Sequence, residues 1–150
     1  MNDKKNINLK INSKKIITNF SNKLHVIQKN KISKEMYLKT IYLFFEKKKL
    51  VKAIDLANEL KIKKSSVSEM LKKLFDEKLI TIEQKHHIKL TKKGEKEAKN
   101  VLRKYLIIKE FLIKILKIKP EKAELEACEL EHAFSDESIA KLNILNLSNK

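Results

Sequence analysis

The stretch KKSSVSEMLKKLFDEKLITIEQKHHIKLTKKG, residues Lys63–Gly94, decides the fold. Its first half carries a single apolar stripe. Val67, Met70, Leu71 and Leu74 recur at the spacing of a helix buried along one side. Ser65-Ser66-Val67-Ser68-Glu69 is expected to open that helix, with Ser66-x-x-Glu69 as a capping box. Lys63, Lys64, Ser65, Ser66, Ser68, Glu69, Lys72 and Lys73 are left at its entry or on its outer face. The second half changes period. Leu79–Ile82 and Ile88–Leu90 read as two strands joined by Glu83–His87, a hairpin with a basic tip. Thr91-Lys92-Lys93-Gly94 then starts another helix.

Upstream, Ser33 is expected to cap a helix whose Met36, Tyr37, Ile41, Phe44 and Phe45 share helical spacing. Val51–Leu60 reads as a short helix with Ala53, Leu56, Ala57 and Leu60 inward, and Ile62-Lys63-Lys64 as a turn. Three helices, a hairpin and a further helix, in that order, make a winged helix-turn-helix.

Downstream, residues 94–117 read as one long helix that is apolar on two sides. Ala98, Val101, Leu102, Tyr105, Ile108, Leu112, Ile115 and Leu116 form one side; Leu106, Ile107, Phe111 and Ile113 form the other. Two apolar sides need two coverings, so one is expected to meet a second copy of the chain in a homodimer. Pro120 suits the first turn of a helix running to about Ala133. Ser135-Asp136-Glu137 starts a last helix ending near Asn146. The fold class is therefore mainly α, a winged-helix domain over 31–93 followed by an all-helical dimerisation domain over 94–150. Residues 1–30 read as a basic, partly disordered extension with a short helix around 13–28.

The composition agrees with this class. One glycine and one proline in 150 residues favour long helices over many tight turns. A net charge of +16, from 35 basic against 19 acidic residues, suits a polyanion such as duplex DNA. A lysine-heavy bias would also produce that charge. Its distribution helps: eleven of the acids lie in residues 1–109 and eight in 110–137, so the basic excess belongs to the first two-thirds. Long uncharged apolar runs, an N-terminal apolar leader and paired cysteines are all missing. The expectation is a cytoplasmic protein without a membrane partner. There is no Gly-rich phosphate loop and no nucleophile–base arrangement, so neither an enzyme nor a small organic substrate is expected.

Cys128, Glu131 and His132 stand at i, i+3 and i+4, which places thiol, carboxylate and imidazole on one helical face. By itself the triplet is weak, since a helical cysteine is also a common small buried hydrophobe.

Four motifs together resemble the diphtheria toxin repressor and manganese transport regulator family. They are Met36-Tyr37-Leu38-Lys39-Thr40-Ile41-Tyr42, Ser65-Ser66-Val67-Ser68, Leu90-Thr91-x-x-Gly94 and Glu126-Ala127-Cys128-x-x-Glu131-His132-x-x-Ser135. The resemblance spans about residues 33–147, in the two-domain form without an SH3-like third domain. It implies a metal-dependent repressor of iron or manganese homeostasis genes, acting as a homodimer on operator DNA. The iron-responsive branch draws one metal site from a Met of the first helix and a Cys, Glu and His of a later one. Met36, Cys128, Glu131 and His132 match those positions. The manganese branch has carboxylates where Met36 and Cys128 stand, so this softer donor set implies Fe²⁺ over Mn²⁺. The family's second metal site corresponds to Tyr105, Lys109 and Glu124. An amine and a phenol there make that site degenerate, and Lys109 is expected to pair with Glu124 in place of an ion. The recognition helix and the wing residues Lys85, His86 and Lys89 are expected to face DNA. The alternatives are a regulator of the same fold that has lost metal control, and a basic architectural or RNA-binding protein.

Overall fold

A computed structural model describes residues 24–148, with side chains from residue 34 onward; the compact unit described below begins at Ile32. The reading of residues 1–30 as an extension with a short helix around 13–28 falls mostly outside the described residues, and its described part, residues 24–30, is helical. The elements follow in the order α1 Leu24–Glu46, α2 Ala53–Leu60, α3 Lys64–Asp76, β1 Ile80–Ile82, β2 Ile88–Leu90, α4 Lys92–Lys114, α5 Pro120–Leu130 and α6 Asp136–Ser148. Between the strands, Gln84–His86 form the hairpin turn, in which Lys85 and His86 both have φ 60. Among the described residues, no helix is long and apolar enough to cross a membrane.

The elements are those the sequence predicts, with shifted ends. Helix α1 runs through Ser33 from Leu24, so Ser33 is no cap; nothing between Leu24 and Glu46 is Gly or Pro, and helix-compatible residues override an isolated capping signal. Helix α3 begins two residues before Ser66, with Lys63 as its N-cap and no side-chain cap. Ser66 therefore lies inside the first turn, and the expected capping box does not form. Val51 is not helical: its carbonyl accepts from the Ile88 N–H at 2.8 Å, adding one bridge to the hairpin. Helix α4 stops at Lys114, short of the expected 117, and Lys117 has φ 56.

Left-handed residues terminate elements that glycine would ordinarily end. Lys48, Lys61, Lys78 and Lys117 all have φ between 53 and 58. Lys61 closes α2 in this way, its N–H bonded to the Ala57 carbonyl. The single glycine is used where no side chain fits. A Cβ on Gly94 would lie 2.0 Å from the Leu79 carbonyl oxygen. That oxygen accepts the Thr91 N–H at 3.0 Å, and the Thr91 hydroxyl accepts the Gly94 N–H at 3.1 Å, capping α4 against the end of α3.

The strands pair antiparallel, Ile80 opposite Leu90 and Ile82 opposite Ile88. Two apolar cores result. Leu38, Ile41, Leu56, Val67, Leu74, Leu79 and Ile80 fill the first, between α1, α2, α3 and the hairpin. Ile107, Ile108, Leu112, Ala123, Ala127 and Ile139 fill the second, between α4, α5 and α6. Helix α4 belongs to both: Ala98 is in the first core and Ile108 in the second. Burying an aliphatic side chain of this kind contributes about 1.5–3 kcal/mol. One continuous helix thus ties the positions of the two cores together.

Candidate metal centre and nucleic-acid face

The centre forms where α1 meets the end of α5. Along α1, Glu35, Met36 and Lys39 share one helical face, because 35 to 39 and 36 to 39 are four and three residues apart. Helix α5 ends at Leu130, earlier than expected, so Cys128 lies in its last turn, Glu131 is its C-cap and His132 follows. The capping position directs Glu131 inward. It is 2% exposed, while Cys128 is exposed and Met36 half-buried.

Three contacts join the elements. Lys39, 8% exposed, donates from Nζ to Glu131 Oε1 in a short bond, and its Nζ lies 3.6 Å from Cys128 Sγ. His132 Nδ1 is 2.6 Å from Glu35 Oε2, and its Nε2 is 3.2 Å from Glu131 Oε1. Glu131 Oε2 is buried without a hydrogen-bond partner. Burial raises the Glu131 carboxyl above its ordinary range, against the opposing pull of the Lys39 ammonium.

Donor chemistry at this junction suits a divalent ion. Glu131 Oε2 lacks a partner, His132 Nε2 lies 3.2 Å from the other oxygen of that carboxylate, the Cys128 thiol shares Lys39 Nζ with it, and Glu35 contacts the other nitrogen of the His132 ring. Among the described residues, however, no three Cys, His, Asp or Glu side chains stand ready-arranged around one ion position. Lys39 meets Glu131 instead. The sequence motifs assign no site role to Glu35 or Lys39. Their adjacency to Met36 on one helical face was the only local signal.

At the degenerate second site, Lys109 Nζ lies 2.5 Å from Glu124 Oε1, joining α4 to α5. The bond to Glu124 raises the Lys109 ammonium above its usual range. The Tyr105 ring is near both lysines, its centre 5.1 Å from Lys39 Nζ and 5.9 Å from Lys109 Nζ.

The nucleic-acid candidates are all on the surface. Lys63, Lys64, Ser65, Ser66, Ser68, Glu69, Lys72 and Lys73 are exposed on α3 or at its entry, and Lys85, His86 and Lys89 are exposed on the hairpin. Two are engaged locally: the Ser68 hydroxyl donates to the Lys64 carbonyl at 3.1 Å, and Lys89 pairs with Glu83 at 2.8 Å.

Comparison with known proteins agrees with this architecture. Residues 31–88 match the N-terminal DNA-binding domain of the iron-dependent repressors, and residues 91–146 match their metal-binding and dimerisation domain. An uncharacterised HTH-type transcriptional regulator of Methanocaldococcus jannaschii is 44% identical over 111 residues, covering 73% of this chain and 89% of that one. The HTH-type transcriptional regulator MntR of Bacillus subtilis is 30% identical over 113 residues, covering 75% and 79%. The solved structure of the manganese regulator SloR superposes with a TM-score of 0.69 at 33% identity. It covers 78% of this chain, which spans 54% of that longer one. With both family domains matched in order, and with a winged-helix unit joined to a helical one by α4, this chain belongs to the iron-dependent repressor family.

Proposed function

We propose that this chain is a divalent-metal-responsive transcriptional repressor controlling metal-homeostasis genes, acting as a cytoplasmic homodimer on duplex operator DNA. The observation that carries the metal part is the buried Glu131 carboxylate, with one oxygen unpartnered, beside Cys128 and His132 and against α1. Met36, Cys128, Glu131 and His132 would hold the ion. When bound, it supplies positive charge shared by donors from both ends of the chain. Fe²⁺ is favoured over Mn²⁺ by the thioether and thiol, although SloR is a manganese regulator.

The protein's own residues do the rest. Glu131 and His132, at the end of α5, engage Lys39 and Glu35 on α1 and so tie the winged-helix unit to the helical one. Leu106, Leu125, Ile144, Leu145 and Leu147 are exposed apolar side chains on α4, α5 and α6, of the kind a second copy would cover. In a dimer, that tie sets how far apart the two α3 helices stand, and only one spacing suits successive major-groove half-sites. With Arg103 as the single arginine, phosphate contacts by lysine carry much of the affinity, and binding is strongly salt-dependent.

A second reading is favoured by the Lys39–Glu131 bond: a regulator of the same fold whose units are tied by an ammonium and not by an ion. Fluorescence anisotropy on operator-length DNA separates the two. Metal dependence predicts that anaerobic Fe²⁺ or Mn²⁺ tightens wild-type binding by about tenfold or more, in the ordinary range of allosteric coupling, and that Cys128→Ala loses this response. Binding indifferent to both chelator and Cys128→Ala establishes the second reading instead.

A further inference from the structure

We propose that Lys39 is a tethered cation that competes with a divalent ion for Glu131 and Cys128, and so sets how much free metal this protein needs before it responds. This rests on the metal-responsive function proposed above and concerns the regulation of that site.

The Lys39 amine occupies a built cation site. Its side chain is 10% exposed, and its Nζ is bonded to the buried Glu131 carboxylate, 3.6 Å from the Cys128 sulfur and 5.1 Å from the centre of the Tyr105 ring. Carboxylate, thiol and π face come from the end of α5 and from α4, and each attracts positive charge. These are the groups that a divalent ion held by Glu131 and Cys128 would also use. Two cations within a few ångströms in a largely buried site repel strongly, so the ammonium and the ion exclude one another.

The lysine also has a role without metal. A carboxylate as buried as Glu131 is costly unless it is compensated, and Lys39 supplies the compensating charge. Its flexible four-carbon stem allows the amine to swing away, which an arginine fork or a second carboxylate would not do equally well. Oε2 of Glu131 already lacks a partner, so departure of the amine from Oε1 leaves both oxygens available. Lys109 stands similarly against Glu124, 5.9 Å from the same ring, but that pair is more open to solvent.

The test uses the full chain and Co²⁺ alone as the probe, titrated anaerobically and read by thiolate-to-cobalt absorption. Wild type, Lys39→Met, Lys39→Gln and Lys39→Arg are compared, with Cys128→Ala as the spectral control. Removing the charge should tighten Co²⁺ binding by roughly tenfold or more in the Met or Gln variant, whichever folds by circular dichroism, while Arg shows no gain. Metal-free Lys39→Met should also melt below wild type. Equal or weaker Co²⁺ binding by both neutral variants, with metal-dependent DNA binding intact in wild type, overturns the competition and leaves the proposed function standing. If no variant binds Co²⁺ and DNA affinity ignores metal, the metal-responsive reading fails and the competition falls with it.

Discussion

Nδ1 of His132 stands 2.6 Å from Oε2 of Glu35, a contact between residues 97 apart in the chain. A carboxylate on one imidazole nitrogen favours the proton there, which turns the lone pair of the other nitrogen toward Glu131, 3.2 Å away. Glu35 is thus a positioning residue for His132. Glu35→Gln should weaken Co²⁺ binding by about 10- to 100-fold, as loss of such supporting carboxylates does elsewhere, with helix content unchanged. An unaltered affinity in the absorption titration would remove Glu35 from this role.

Glu131 makes a signed prediction about pH. Burial raises its native carboxyl above the unfolded value, so the folded chain holds that proton more tightly. Its contribution to stability is fully present below the unfolded pKa and is lost as pH rises through the higher native one. In chelator, the stability of wild type minus that of Glu131→Gln should therefore fall as pH rises from the ordinary carboxylate range, about pH 4, toward neutrality. Urea unfolding of both proteins across that range isolates the term from the other carboxylates. A difference that grows with pH would mean that the Lys39 ammonium outweighs burial.

Gly94 tests the joint between wing and long helix. An alanine Cβ would meet the Leu79 carbonyl oxygen at 2.0 Å, and this oxygen also accepts the Thr91 N–H. Backbone must move on one side or the other. Gly94→Ala should cost about 2–3 kcal/mol in urea unfolding, at the upper end of ordinary overpacking. A loss below about 0.5 kcal/mol, the range of neutral surface changes, would show that the start of α4 gives way freely.

Much of the fold was legible because the signals are local. The 3.6-residue stripe of α3, the alternation in the hairpin, Thr91-x-x-Gly94 and Pro120 at the start of α5 each act within a few residues. Helix ends were less legible. Ser33 and Ser66 carry capping chemistry, but helix-permissive neighbours let α1 and α3 begin before them. Lysines with positive φ ended elements at which the sequence shows no glycine.

The order of elements and the Cys-x-x-Glu-His spacing were settled by the sequence alone, since sterics and periodicity operate between neighbours. Only tertiary structure decided what Glu131 and His132 face. Spacing on α1 places Glu35, Met36 and Lys39 on one side of a helix, but it carries no information about groups 92 or 97 residues away. Packing of α4 into both cores brings those groups together, and there an ammonium finds the carboxylate that the sequence had assigned to a metal.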